Sequence, residues 1–296
     1  MSDTLNIKPR SLFSEILILI KHRLSLSVVF SSVASYLIAF EVFSFYTLAL
    51  LILGGFFVVG ASNGFNQIIE RNRDALMPRT QNRPLPTGGL TVNQAILVCV
   101  ILSFLGLFIL YIINFRTAFF GLVSMIIYLA IYTPLKPITP LSVFFGAIPG
   151  AIPFMLGWVA VTNKFSIETG ILFMIQFFWQ FPHFWAIGWL QFEEYKKAGF
   201  IMLPMNKKDQ SATKQILFYT AIMILVSVAP VLKMTGAFYI HPITAIIVAL
   251  LGVSMLYYGV LLHKKQTNIE ARKLMLSSVL YITAIQVIYV IDKFLH

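Results

Sequence analysis

Residues Tyr46 to Phe65 read YTLALLILGGFFVVGASNGF, and Asn66 to Asp74 continue as NQIIERNRD. A run of this length without one charge is enough to carry an α-helix across a hydrocarbon layer of roughly 30 Å. The adjoining stretch holds Glu70, Arg71, Arg73 and Asp74, so the same helix is predicted to leave the apolar layer carrying polar chemistry at its end.

Similar apolar runs recur outward from this one, near 24–41, 93–113, 117–133, 141–161, 169–191, 215–232, 240–262 and 273–291. Hydrophobic residues make up 58% of the 296-residue chain and charged residues 11%, against roughly 25% charged in an average soluble domain. The expectation is an all-α integral membrane protein, with about nine transmembrane helices in one bundle and residues 1–296 forming one membrane domain. Asp3, Lys8, Arg10 and Glu15 interrupt the first residues, which argues against a cleavable signal. Residues 11–22 read as an interfacial helix within the N-terminal segment 1–23. Cys99 is the one cysteine, so an intrachain disulfide and a Cys-x-x-Cys-His haem attachment are both excluded.

With these spans, 18 of the 22 Lys and Arg residues fall on the N-terminal side, leaving Arg116, Lys164, Lys233 and Lys293 on the other. By the positive-inside rule the N-terminus is cytoplasmic, and the bias favours an odd number of spans. The formal charge of +11 then reflects topology, with some attraction to anionic membrane lipid, and nothing supports nucleic-acid binding. Two cytoplasmic segments, 66–92 and 192–214, are long and hold most of the unusual residues.

Asn66, Glu70 and Asp74 are spaced i, i+4, i+8 and share one helix face. Two carboxylates and an amide near a membrane surface suit Mg²⁺, a hard ion that takes few protein oxygens and leaves positions for water and phosphate. Arg71, Arg73, Arg79 and Arg83 crowd the same segment and offer forked donors that match phosphate oxygens. A solvated loop with orienting arginines is the plainer alternative. Against it, Asn63, Asn66 and Gln67 lie at bilayer depth, where polar residues usually face a bundle interior. Pro78, Pro84, Pro86, Gly88 and Gly89 also impose turns that a tether does not need.

A second constellation, Trp179-Gln180-Phe181-Pro182-His183-Phe184-Trp185, lies inside the sixth span and is followed by Glu193, Glu194 and Tyr195. An intramembrane His is a functional candidate, with a buried His bonded to a neighbouring helix as the alternative. Gly146 to Ala151 permits either close helix approach or room for a flat ring.

Taken together, these motifs resemble the protohaem IX farnesyltransferases, or haem O synthases, within the intramembrane UbiA-type prenyltransferase superfamily. The resemblance covers nearly the whole chain. It rests on Asn66-x-x-x-Glu70-Arg71-x-x-Asp74-x-x-Met77-x-Arg79-Thr80-x-x-Arg83-Pro84, Tyr132-Thr133 with Leu135-Lys136, Gly146 through Gly157-Trp158, and Trp179 to Trp185 with Glu194-Tyr195-x-x-x-Gly199. The first motif belongs to the wider superfamily; the Pro-His-Phe-Trp run points to the haem branch. Asn72 and Pro137 depart from the family pattern, and the superfamily's second Asp-x-x-x-Asp box is absent.

The resemblance implies transfer of farnesyl from farnesyl diphosphate to a vinyl group of haem B, with water supplying a hydroxyl. It implies Mg²⁺ on Asn66, Glu70 and Asp74, with Glu194 as a further candidate ligand. Arg71, Arg79, Arg83 and Lys136 are the implied diphosphate contacts; Tyr132, Trp179, His183 and Trp185 are the implied acceptor contacts. His183 could ligate or orient haem, act as base on water, or be structural. The implied setting is a bacterial inner membrane with the site facing the cytoplasm, and a haem A synthase is a candidate recipient of the product. A superfamily enzyme that prenylates a quinone precursor would keep the first motif unchanged. A transporter would need ionisable residues near span centres, and His183 stands almost alone there.

Overall fold

The computed structural model describes residues 10–296, and the elements among them are helical. The first is α1, Leu12–Leu19, which realises the helix expected over 11–22; Ser11 Oγ caps it by accepting from the Ser14 N–H. The chain then turns at Lys21, whose φ of 47° lies in the left-handed region, into α2, His22–Ala39. Next come α3, Phe45–Asp74, and α4, Val92–Ile113, the latter begun by a reciprocal capping box between Thr91 and Gln94. α5, Phe115–Ile126, runs through a π-helical turn, Ile127–Tyr132, into the short α6, Thr133–Leu135.

The rest of the bundle is α7, Ser142–Thr162; α8, Ile167–Leu190; α9, Phe192–Lys197; α10, Gln210–Val228; α11, Pro242–Lys265; and α12, Asn268–Leu295. The long helices share a core that runs from Ala34 and Tyr36 of α2 to Ile285 and Tyr289 of α12.

Among the described residues, eight helices are long and apolar enough to cross a membrane. The sequence reading has about nine, and the difference is α8. Gln176, Gln180, Pro182, His183 and three tryptophans lower its hydropathy, although its 24 residues match its neighbours in length. The reason is its position. α8 packs against α7, α10 and α12, so much of its surface faces protein rather than lipid and tolerates polar side chains. Its start is pinned by Glu168, which accepts from the Ala237 N–H at 2.7 Å, and the chain just beyond its end by the Ile201 N–H, which donates to the Lys136 carbonyl at 2.7 Å.

Two local features of the bundle position the site. In α7, Pro153 cannot donate to the Pro149 carbonyl, and Ser124 Oγ of α5 satisfies that oxygen at 3.3 Å. Gly157 of α7 lies against the α2 backbone so closely that a Cβ would overlap the Ser32 carbonyl oxygen. At the opposite end, Gln67 Nε2 donates to the carbonyls of Ile18, at 3.1 Å, and Leu19, at 2.7 Å, and so ties α1 to α3.

Candidate active site

α3 carries Asn66, Glu70 and Asp74 on its inner face, and all three are buried. A helix turns about 100° per residue, so positions four apart stay aligned while Arg71, one step on from Glu70, points outward. Arg71 is exposed and folds back to donate to the Ile68 carbonyl of its own helix at 2.9 Å. Of the implied diphosphate contacts, it is the one that the structure leaves outside the cluster.

Each polar group of the face has a partner from elsewhere in the chain. Asn66 Nδ2 donates to Thr133 Oγ1 at 3.1 Å. Lys136 Nζ donates to Glu70 Oε1 at 2.8 Å, and Arg83 donates to Asp74 Oδ2 at 2.6 Å. Thr80 Oγ1 donates to the Asp74 carbonyl at 2.8 Å and fixes the turn that returns Arg83 toward the helix.

The π-helical turn explains how α5 and α6 reach this face. An extra residue in the turn rotates the residues after it, and such bulges often mark functional sites. Here the turn brings Tyr132, Thr133 and Lys136 to α3; Thr133 Oγ1 also donates to the Tyr128 carbonyl at 2.8 Å. The Lys136 ammonium lies 4.5 Å from the Tyr132 ring centroid and 5.6 Å from that of Phe200. Tyr132, implied as an acceptor contact, therefore stands among the charged groups. Burial alone would lower the Lys136 pKa, but the Glu70 carboxylate outweighs it and holds the ammonium above its ordinary value.

Glu194 sits at the rim, where Oε2 accepts from the Arg79 backbone N–H at 3.5 Å. Sequence reasoning missed Lys21 and Phe200 as members of this neighbourhood. Lys21 feels Arg83, Lys136, Glu70 and Asp74; burial first, and the two cations second, lower its pKa to about 7. Arg73 lies 5.7 Å from the centroid of Phe200.

The second constellation does not join the first. Trp179 Nε1 donates to the Ser278 carbonyl at 2.7 Å, while His183 Nδ1 bonds Ser278 Oγ at 2.8 Å and its ring stacks 4.5 Å from Trp179. Trp185 packs 5.3 Å from Tyr219 of α10. These contacts hold α8 to α12 and α10.

Among the described residues, no three His, Cys, Asp or Glu side chains cluster as a metal site. The donor set on α3 nevertheless fits Mg²⁺. Its oxygens are hard, and Asp74 Oδ1 is buried without a hydrogen-bond partner. Asn66 and Asp74 are separated by about 12 Å of helix rise, too far to touch one ion with bonds of roughly 2.1 Å, so Glu70 is the common member of any shared arrangement.

The chain is thus a helical membrane bundle in which two buried carboxylates of α3 pair with cations from elsewhere in the chain. The UbiA prenyltransferase family model matches residues 27–283. A relative from Christiangramia forsetii, a protoheme IX farnesyltransferase, is 56% identical over 97% of this chain and 95% of its own length. The fold is also that of a solved digeranylgeranylglyceryl phosphate synthase, with a TM-score of 0.79 and 21% identity over 95% of this chain and 98% of that one. A UbiA homologue from Archaeoglobus fulgidus bound to DMAPP and Mg²⁺ superposes with a TM-score of 0.69 and 18% identity, over 93% of this chain and 99% of that one. The chain belongs to the UbiA prenyltransferase family and is an integral membrane prenyltransferase.

Proposed function

We propose that the protein transfers farnesyl from farnesyl diphosphate to a vinyl group of haem B, with addition of water, to give haem O. The observation that carries this reading is the α3 face, where the buried carboxylates of Glu70 and Asp74 pair with the half-buried Lys136 and Arg83 and one Asp74 oxygen has no hydrogen-bond partner among the described residues. The farnesyltransferase relative supports the choice of prenyl group and acceptor.

In this reading Glu70, together with Asn66 or Asp74, would hold Mg²⁺, and the chemistry it would supply there is neutralisation of the departing diphosphate. Lys136, Arg83 and Arg79 bind the diphosphate oxygens, and the ion pairs keep Lys136 and Arg83 in place before substrate arrives. The carbon–oxygen bond at farnesyl C1 breaks with its electron pair going to diphosphate. The terminal vinyl carbon then bonds C1, water adds to the inner vinyl carbon, and one proton of that water is released. Tyr132 and Phe200, packed around Lys136, offer ring faces to the allylic cation and exclude water from it until the vinyl group reaches it.

The charge bias supports a cytoplasmic N-terminus, a cytoplasmic α3 face and α8 as a ninth crossing, in a bacterial inner membrane. A haem A synthase is the proposed recipient of the product. The test is incubation of purified protein with farnesyl diphosphate, Mg²⁺ and either haem B or 4-hydroxybenzoate. Prenylated haem supports the reading, and prenylation of 4-hydroxybenzoate alone overturns the acceptor.

A further inference from the structure

A basic cleft opens beside the α3 face, between the α1–α2 corner and the segment around Arg79 and Arg83. It has a volume of about 420 Å³, and Arg10, Lys21, His22, Arg23, Arg79 and Arg83 line it together with Leu17, Ile18 and Leu24. No carboxylate lines it among the described residues.

The walls of the cleft are tied together. Arg10 donates to the Asn82 carbonyl at 3.1 Å and lies 3.7 Å from the buried Glu15, which binds the start of α1 to the opposite segment. Lys21 turns the corner in a left-handed conformation that residues with a Cβ adopt only sparsely, often at functional sites. Arg23 and Arg79 form no ion pair among the described residues. Cations that serve orientation alone have no need to converge on a concavity. Only Arg10 and Arg83 of the lining cations pair with a carboxylate among the described residues, so the group as a whole focuses a positive field on whatever enters.

Arg83 belongs to both places, since it lines the cleft and pairs with Asp74. The cleft thus continues the catalytic face, yet Arg10, Lys21 and Arg23 lie beyond the residues assigned to diphosphate. Its apolar members suit an amphiphile whose charged edge is held here while its body lies among apolar side chains. Resting on the haem reading above, we propose that the cleft binds the two propionate carboxylates of the tetrapyrrole acceptor. The macrocycle is then held by its charged edge with a vinyl group turned toward Asn66, Glu70 and Asp74.

The test compares wild type with Arg23→Gln, Arg10→Gln, the double variant and the charge-preserving Arg23→Lys, each in nanodiscs. Affinities are measured for haem B, for haem B dimethyl ester and for a non-reactive farnesyl diphosphate analogue. The double variant is expected to bind haem B about tenfold more weakly, with analogue binding intact as proof of folding. Arg23→Lys retains most of the affinity, and the ester, having no carboxylates, binds all variants alike. Equal haem B affinity across the series overturns the proposal, as does an equal loss for acid and ester. A second set of discs, with and without anionic lipid, identifies a lipid site: variants that change only the dependence on anionic lipid also overturn it. Wild-type turnover on the same discs separates this claim from the reaction. Turnover of haem B with charge-insensitive haem affinity overturns the cleft alone, whereas absence of turnover overturns the reaction and the acceptor assigned to the cleft.

Discussion

Arg83 reaches back nine residues to donate to Asp74 Oδ2 at 2.6 Å, while Asp74 Oδ1, also buried, has no hydrogen-bond partner among the described residues. A half-satisfied buried carboxylate beside a guanidinium is costly unless a further cation or ligand completes it. In the proposed function it is the place where metal and diphosphate would meet.

Asp74→Asn and Glu70→Gln keep side-chain volume and remove one charge each. Both should insert and fold while losing about a hundredfold or more in turnover, the scale of removing one electrostatic group from a reaction site. Arg83→Ala should mainly raise the dissociation constant for a farnesyl diphosphate analogue, and Arg83→Lys should restore it only in part, because an ammonium lacks the forked donor geometry. Unchanged kinetics in all of these would remove the α3 face from the reaction.

Lys21 carries a pH prediction. Its pKa is lowered to about 7 by burial and by the nearby Arg83 and Lys136, against the pull of Glu70 and Asp74. An anion in the cleft binds the protonated form better, so haem B affinity should be greatest below pH 7 and should fall as the pH rises through that value. Folding stability has the opposite sign: a lowered lysine pKa means that the unfolded chain binds more protons between about pH 7 and 10.5, so this residue's contribution improves as pH rises across that window. Titration of haem B binding in wild type and Lys21→Met separates this effect from ionisation of the propionates themselves. A profile that is the same in both proteins contradicts it.

Gly157→Ala should disrupt the α2–α7 contact, because the obstruction is the Ser32 backbone rather than a movable side chain. Overpacking of this kind costs about 1–3 kcal/mol where the surroundings can relax, and rigid backbone relaxes least. Thermal unfolding in detergent should show a clear drop in midpoint. A variant as stable as wild type would mean that α2 and α7 are not held this closely.

His183→Ala should lower the unfolding midpoint more than Ser278→Ala, since both remove the 2.8 Å bond between α8 and α12 and only the first also removes the stack on Trp179. Binding of the farnesyl diphosphate analogue should survive in both. Lost analogue binding with an unchanged midpoint would place His183 on the diphosphate instead.

The i, i+4, i+8 acids and amide were legible in the sequence because helix geometry alone puts them on one face, and α3 does continue to Asp74. Arg71 and Arg73 could not be sorted by the same logic, since tertiary contact with Phe200, not spacing, sets the surroundings of Arg73. Lys21 looked like one more orienting charge. Only the left-handed corner between α1 and α2 brings it to Arg83 and Lys136, and no local sequence signal marks that turn. The Trp179 to Trp185 run is prominent as a motif, yet Ser278 of α12 decides what Trp179 and His183 do. α8 shows the converse case: its polar residues, which lower its hydropathy below that of its neighbours, are allowed by α7, α10 and α12 around it.

The central claim is that haem B is prenylated at the Asn66–Glu70–Asp74 face. The most direct measurement is mass spectrometry of the haem fraction after wild type and Asp74→Asn, in matched nanodiscs, are given farnesyl diphosphate, Mg²⁺ and haem B. The account predicts a product heavier than haem B by one farnesyl group and one hydroxyl group in the wild-type discs, and unreacted haem B with Asp74→Asn. Equal product from both proteins, or no haem product from wild type while farnesyl diphosphate is consumed, would contradict it.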